Sequence, residues 1–457
     1  DPTTWIRFRQ ALERADGHRS PLKRAVLDRG PTPMPVAEAA IPGLNAAQRR
    51  AAHAALGSPD LTLVWGPPGT GKTRVLAHVL AALVADGDRP WALADSNAAV
   101  DHLALAAVGL GLDVVRIGPV SRVGPALADR RLEARIAASM LGPTLASLDR
   151  EIVRTWGTQT ARRLVTERAA VWDQARDLVL SGADVIATTF GTAARLVEAL
   201  PTARTAVVDE ATQATEPAVW VVVPFVERLV LAGDPAQLGP VVRVPDSPLG
   251  VSLLERWVSP ATPMLEVQHR MAPELRRLVA GVYGPAYVDA PETATHLPVL
   301  ELPALWIDTA GAGGEERDPV TRSLFDPLEV RLAALAVAEI LARGIAPGDI
   351  GVIAPYAAQV AKLREALPAI EVATVNAFQG REKEAIVVTF VRSNPARELG
   401  FVADGRRLTV ALTRARRQLV LIGDAATLSV HPRFAALLDA VVTVSVWEPP
   451  WSDALDG

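Results

Sequence analysis

Two kinds of hydrophobic pattern alternate along this chain. Short, mostly apolar runs at 61–65, 91–95, 113–117, 184–188, 205–208 and 229–232 are separated by stretches in which apolar residues return every three or four positions. Apolar runs without polar alternation belong to strands covered on both faces, and helical spacing between them makes each connection a crossover, so a parallel sheet in an α/β domain is expected. A second alternating block begins near Pro263, with runs at 303–307, 350–354, 370–375, 384–390 and 418–422, and predicts a second α/β domain in series. Residues 122–180 break the alternation and are helical in pattern. They read as a helical insertion whose face carries Arg130, Arg131, Arg135, Arg150, Arg154, Arg162, Arg163, Arg168 and Arg176. Such a face is either simply solvated or meets a ligand. Residues 1–29 form a basic amphipathic stretch (Trp5, Ile6, Phe8 and Leu12 with Arg7, Arg9 and Arg14), and Pro31, Pro33, Pro35 and Pro42 make a linker. The expected division is 1–40 for that segment and linker, 41–121 and 181–258 for the first α/β domain around the 122–180 insertion, and 259–457 for the second.

Composition narrows the class without changing this picture. With 457 residues, 49% hydrophobic and 21% charged, the chain can bury sizeable cores in two to four domains. Without cysteine it has no disulfide, thiolate nucleophile, zinc finger or iron–sulfur cluster, and an intracellular, cytoplasmic setting is expected, nucleoid-associated if the source is bacterial. No apolar run approaches the ~18 residues of a spanning helix. No membrane role is therefore expected, and no signal peptide is evident, although a chain that starts at Asp1 leaves room for an upstream segment. A net charge of −4 argues neither for nor against nucleic acid.

The chemistry concentrates where strands end. The first apolar run, Leu61 to Trp65, leads into Gly66, Pro67, Pro68, Gly69, Thr70, Gly71, Lys72 and Thr73, and a helical pattern follows. This is a complete phosphate-binding loop: its glycines let backbone N–H groups close around phosphate oxygens, Lys72 reaches β- and γ-phosphates, and Thr73 offers a hydroxyl to Mg²⁺. Only four of the 47 basic residues are lysine, so a chain that otherwise uses arginine has lysine where one flexible point charge is needed. The strand at 205–208 ends in Asp209 and Glu210, placing one carboxylate for Mg²⁺ and one as general base for the attacking water. Gln237, in the turn after the 229–232 strand, is a candidate to touch the γ-phosphate and that water. Arg270 and Arg414, in the second domain, are candidates to stabilise charge on the transferring phosphoryl group.

Nine segments in this order resemble the motifs of superfamily 1 helicases of the up-frameshift-like branch. They are 44–48 with Gln48, the phosphate loop, 95–101, 183–189, 209–213, 233–240, 267–271, 375–384 and 408–416, so the resemblance spans about 41–425. All four asparagines, Asn45, Asn97, Asn376 and Asn394, fall in or beside these segments. The resemblance implies two RecA-like P-loop domains in tandem, with ATP between them and opening and closing of that cleft coupled to movement along a single strand. It implies that Gln48 reads the adenine edge, that Gln237, Arg270 and Arg414 contact the γ-phosphate, and that Gln379 and Glu382 approach phosphate and ribose. Ser96, Asn97 and Thr189 would touch the nucleic-acid backbone. His269 stands where the family commonly has a tyrosine that stacks on adenine, and an imidazole stacks over less area. The family's β-barrel accessory domain does not fit into the first 40 residues. Residues 4–29 read as a stalk remnant, with the barrel absent or supplied upstream or by a partner.

The function expected is thus an ATP-dependent, magnesium-requiring helicase or translocase on single-stranded nucleic acid, 5′ to 3′ by resemblance, acting as a monomer. DNA is favoured over RNA because the alanine and arginine bias suggests a GC-rich, bacterial genome. The alternatives are an ATP-gated clamp that translocates without unwinding, or a P-loop ATPase acting on protein.

Overall fold

The computed structural model describes residues 2–32, 41–242, 244 and 246–455. Pro33 and Pro35 of the expected linker lie outside the described residues. The chain divides into two compact units, Asp1–Gly66 with Gly71–Pro235 and Gly239–Leu265, and Pro67–Thr70 with Ala236–Leu238 and Glu266–Gly457.

The first unit is built on a six-stranded, all-parallel sheet of β1 (Leu61–Trp65), β2 (Trp91–Ala94), β3 (Val114–Ile117), β4 (Val185–Thr189), β5 (Thr205–Val208) and β6 (Arg228–Gly233). The spatial order is β1-β6-β5-β2-β4-β3, which sets the ends of β1, β6 and β5 side by side. Almost every strand residue is buried because both faces are covered. On one face, α3 (Ala46–Gly57), α4 (Lys72–Ala85) and α5 (Asn97–Gly109) pack Ala51, Val75, Leu76, Val79 and Leu103 against Val64, Ala92 and Val207.

The other face is closed by segments expected to stand apart. The N-terminal helices α1 (Pro2–Asp16) and α2 (Pro21–Arg24) precede α3, and Phe8, Ala11, Ala15 and Leu22 join the same core as Trp91, Leu93 and Ile186. The stretch read as a stalk remnant thus completes the first unit's core. The expected apolar face misplaced its contacts, since Trp5, Ile6 and Leu12 are exposed while small alanines at helical spacing from Phe8 make the close approach. The 122–180 stretch holds α6 (Leu132–Ala138), α7 (Gly142–Arg154) and the 24-residue α8 (Gln159–Gly182). It is also less separate than its pattern suggests: Leu132, Ile136, Leu145, Ala175, Val179 and Leu180 enter this core, and the last turns of α8 are the crossover that returns the chain to β4. A further helix, α9 (Phe190–Leu196), leaves β4 directly.

In the second unit, β7 (Val267–Gln268) and β8 (Val288–Asp289) make a short parallel ribbon ahead of β9 (Ala304–Asp308). After the antiparallel pair β10 (Glu316–Arg317) and β11 (Leu324–Phe325) come β12 (Ile350–Ala354), β13 (Glu371–Thr374), β14 (Lys383–Thr389), β15 (Ala415–Gly423) and β16 (Val442–Ser445). The six-stranded sheet has the order β13-β12-β14-β15-β9-β16, again all parallel. Its last strand has no counterpart in the sequence reading. At the sheet's edge β16 is largely exposed, and Thr443 and Ser445 interrupt the apolar run that marks a covered strand. One face packs on the helix Pro327–Ala342, and on the other Trp306, Phe390 and Phe434 form an aromatic nest, with Trp306 and Phe390 stacked at 5.2 Å.

Candidate nucleotide-binding site

In the first unit the phosphate loop leaves β1 at the sheet's carboxyl edge, where open α/β sheets bind ligands. The Gly66 N–H donates to Gly233 O at 2.9 Å, tying the loop to the end of β6. A side chain at Gly66 would strike Lys72 Cγ at 1.9 Å, because the Lys72 stem lies across that backbone and its Nζ donates to Gly66 O at 2.9 Å. Gly71, at φ +78°, is the N-cap of α4, and a Cβ there would meet Gln48 Nε2 at 2.8 Å. Gln48 is held in place by a capping box: Asn45 N donates to its Oε1 at 3.0 Å, and Gln48 N donates to Asn45 Oδ1 at 2.9 Å.

Asp209 and Glu210 arrive from the end of β5, two strands away. The Thr73 hydroxyl donates to Asp209 Oδ2 at 2.7 Å, and Lys72 Nζ stands 3.7 Å from Glu210 Oε1. Burial lifts the Asp209 carboxyl to about 6, helped by the charge of Glu210 and opposed by Lys72 and the Thr73 hydrogen bond. Glu210 itself has φ +49°, in the left-handed region that non-glycine residues rarely occupy, and Gln213 Nε2 donates to its Oε2 at 3.3 Å. A hydroxyl and a carboxylate at a helix N-terminus are donor types that Mg²⁺ accepts alongside phosphate oxygens and water. Among the described residues, no group of three or more His, Cys, Asp or Glu offers a separate metal cage.

The second unit gathers Gln237, Arg270, Arg414, Gln379 and Glu382. Arg414 is buried, and its Nη2 donates to Gln237 Oε1 at 3.1 Å and to Thr413 Oγ1 at 2.9 Å. The Arg270 Nη1 donates to Thr413 O at 3.1 Å, while its Nε donates to Glu382. Burial alone would raise the Glu382 carboxyl, but Arg270, with Arg416 and Arg414 behind it, holds it below the usual range. Among the described residues Gln379 Nε2 is buried without a hydrogen-bond partner. His269 N donates to Gly69 O at 2.9 Å, and its Nδ1 lies 2.6 Å from Glu292 Oε1, so the imidazole is oriented by a carboxylate.

Ser96, Asn97 and Thr189 sit at the ends of adjacent strands, since Ala94 of β2 is in register with Thr189 of β4. Both hydroxyls cap helices: Ser96 Oγ accepts from Ala99 N at 3.2 Å, and Thr189 Oγ1 from Thr192 N at 3.3 Å. Two helix N-termini, at α5 and α9, therefore open from neighbouring strand ends. Such ends favour anions.

Two family models, each described as an AAA domain, match residues 43–168 with 157–244 and residues 249–426. Over 95% of its length the chain is 33% identical to DNA-binding protein SMUBP-2 of Mesocricetus auratus, of which it covers 49%. It is 30% identical to DNA polymerase alpha-associated DNA helicase A of Schizosaccharomyces pombe, over 84% of this chain and 64% of that protein. It is 33% identical to ATP-dependent helicase NAM7 of Saccharomyces cerevisiae, over 84% of this chain and 42% of that protein. The chain belongs to the superfamily 1 helicases of the up-frameshift-like branch. It spans about half the length of the SMUBP-2 relatives it matches.

Within this chain the structure adds residues that the motifs did not single out. Tyr287 is fully buried and its hydroxyl donates to Pro68 O at 2.7 Å, fastening the phosphate loop from outside its own sequence. Its signal was scarcity, for it is one of three tyrosines. Arg116, wholly buried in β3, donates through Nε to Asp101 Oδ1 at 2.6 Å and through Nη2 to Asn97 Oδ1 at 2.9 Å, which orients the Asn97 amide. An arginine inside an apolar run was the legible sign there, because a buried guanidinium must be matched by specific acceptors.

Proposed function

We propose that this chain hydrolyses ATP to drive movement along single-stranded nucleic acid in the 5′-to-3′ direction and to separate duplexes, with DNA preferred to RNA. The observation that carries the hydrolytic half is the meeting of Lys72, Thr73, Asp209 and Glu210 at one sheet edge, with a 2.7 Å bond from Thr73 to Asp209 and a strained Glu210 beside Lys72. Lys72 and the loop N–H groups would hold the β- and γ-phosphates. Thr73 and Asp209 would hold Mg²⁺, which when bound neutralises developing phosphate charge. Glu210 takes a proton from water as the water oxygen bonds to the γ-phosphorus; the bond from that phosphorus to the β–γ bridging oxygen breaks, and ADP leaves. Arg270 and Arg414 would stabilise charge on the transferring group, and Gln237, bonded to Arg414, would link the γ-phosphate to it. Adenine would meet Gln48 and His269, and Gln379 and Glu382 would lie near ribose and phosphate.

The strand would lie across Ser96, Asn97 and Thr189, held by its phosphates without reading of sequence. The names of two relatives, a DNA-binding protein and a DNA helicase, support the preference for DNA. The deciding measurement is steady-state ATP hydrolysis with matched single-stranded DNA and RNA oligomers, paired with displacement of strands from duplexes tailed at either end. Stimulation greater with DNA and displacement only from 5′ tails are expected. Displacement only from 3′ tails overturns the polarity, and stimulation without any displacement turns the reading to a translocating clamp.

A further inference from the structure

Arg116 lies in β3 with its side chain wholly buried, and all three guanidinium nitrogens are engaged. Nε donates to Asp101 Oδ1 at 2.6 Å, Nη1 to Ile117 O at 2.5 Å and Nη2 to Asn97 Oδ1 at 2.9 Å. The second Asp101 oxygen accepts from Gly124 N at 2.7 Å. Asn97 and Asp101 stand four positions apart in the first turns of α5, so both side chains fall on one face of the helix, the face that meets Arg116. The backbone leaves room for the fork, since a side chain at Gly118 would strike Arg116 Nη1 at 2.8 Å. Packing alone does not ask for this arrangement, because apolar residues of similar volume often replace a buried ion pair without loss of stability. What a guanidinium does here that an apolar side chain cannot is fix an amide. The two ends of an asparagine amide are alike in shape and opposite in hydrogen bonding. With Oδ1 taken by a donor, Asn97 Nδ2 is turned away from Arg116. Asn97 is partly exposed, and among the described residues its Nδ2 has no hydrogen-bond partner. Two N–H donors in that position suit a phosphodiester, whose oxygens only accept.

We infer that Arg116 and Asp101 are positioning residues for strand binding: they hold the Asn97 amide with its N–H groups towards the phosphates, and neither touches the strand itself. This rests on the proposed strand binding at Asn97 but not on the ATP chemistry. The test is affinity for a fluorescent oligothymidylate by anisotropy, with thermal unfolding recorded for every variant. Asn97→Ala should lose about tenfold, the worth of one hydrogen bond to a charged group. Arg116→Met/Asp101→Val exchanges the pair for apolar side chains of similar combined volume and should lose as much, although both residues are shut off from the strand. Adding Asn97→Ala to that double variant should cost nothing more, whereas a merely structural role makes the two losses multiply. Asn97→Gln keeps the amide but is one methylene too long for its seat on the guanidinium, and it should fall to the Asn97→Ala level. It decides the matter with the buried pair untouched if the double variant does not fold. Full affinity in Asn97→Gln or in a folded Arg116→Met/Asp101→Val, or losses that multiply, overturns the inference. So does full affinity in Asn97→Ala, with the proposed function left standing on wild-type binding. Absence of strand binding by the wild-type protein would sink the proposed function itself.

Discussion

Each unit of this chain holds a pair of acidic residues at a non-glycine residue in left-handed conformation, and the two clusters differ in what answers the charge. In the first, Asp209 and Glu210 face Lys72 and the Thr73 hydroxyl, and the left-handed residue is the carboxylate Glu210. In the second, Asp326 and Glu329 are sealed in the core. Both Glu329 oxygens accept from Val391 N, at 2.9 and 2.8 Å, and it is Val391 that has φ +71°. Burial pushes Asp326 up to about 6, and burial, with Asp326 next, drives Glu329 well above its ordinary value. A raised carboxyl is therefore no mark of catalysis by itself. A neighbouring cation, a hydroxyl and an open loop separate the site from a structural latch.

The comparison breaks first at Lys72. Lys72→Ala should lower ATP hydrolysis at least about a hundredfold and stop strand displacement while single-strand affinity persists; a variant that still unwinds ends the proposed mechanism. Asp209→Asn comes next, with opposite effects on activity and stability. The folded carboxyl titrates at about 6 against an ordinary 3.8, so stability present below that ordinary value is lost as pH rises through about 6. The asparagine variant should thus be inactive yet about 1–2 kcal/mol more stable at pH 7.5, with no gain near pH 3.5, as read by chemical denaturation.

Glu329→Gln sharpens the contrast. The same sign applies from the ordinary 4.5 upward, so the wild-type second unit weakens as pH rises and the glutamine variant should flatten that slope. Its kcat should stay within about twofold of wild type, because nothing here touches the loop; a tenfold drop would erase the distinction between the clusters. The smallest effect is expected from Tyr287→Phe. It leaves Pro68 O without its buried donor, costing about 1–2 kcal/mol in thermal unfolding and raising KM for ATP a few-fold. An unchanged melting temperature would show that water replaces the hydroxyl.

What could be read without the structure was local. The covered strands announced themselves by short, mostly apolar runs, and β16 escaped because an exposed edge strand needs no such run. The loop 66–73 and the Asp209–Glu210 pair are contiguous in the chain, so their chemistry is written in consecutive residues. The partners of Tyr287 and the Val391 latch were not legible, since each acts on a residue far away in the chain: Pro68 lies 219 positions from Tyr287, and Glu329 lies 62 from Val391.

By itself, then, the sequence determined two parallel α/β sheets, a phosphate loop and the acidic strand end that faces it, because strand burial and phosphate binding depend on residue type at short spacing. Tertiary structure alone decided that residues 1–29 and the inner half of 122–180 close the first core, and that one acidic pair meets a lysine while the other is buried against backbone. The physical reason is that helical periodicity reports that a face is apolar without naming its partner. Burial, desolvation and ion pairing are properties of the partner.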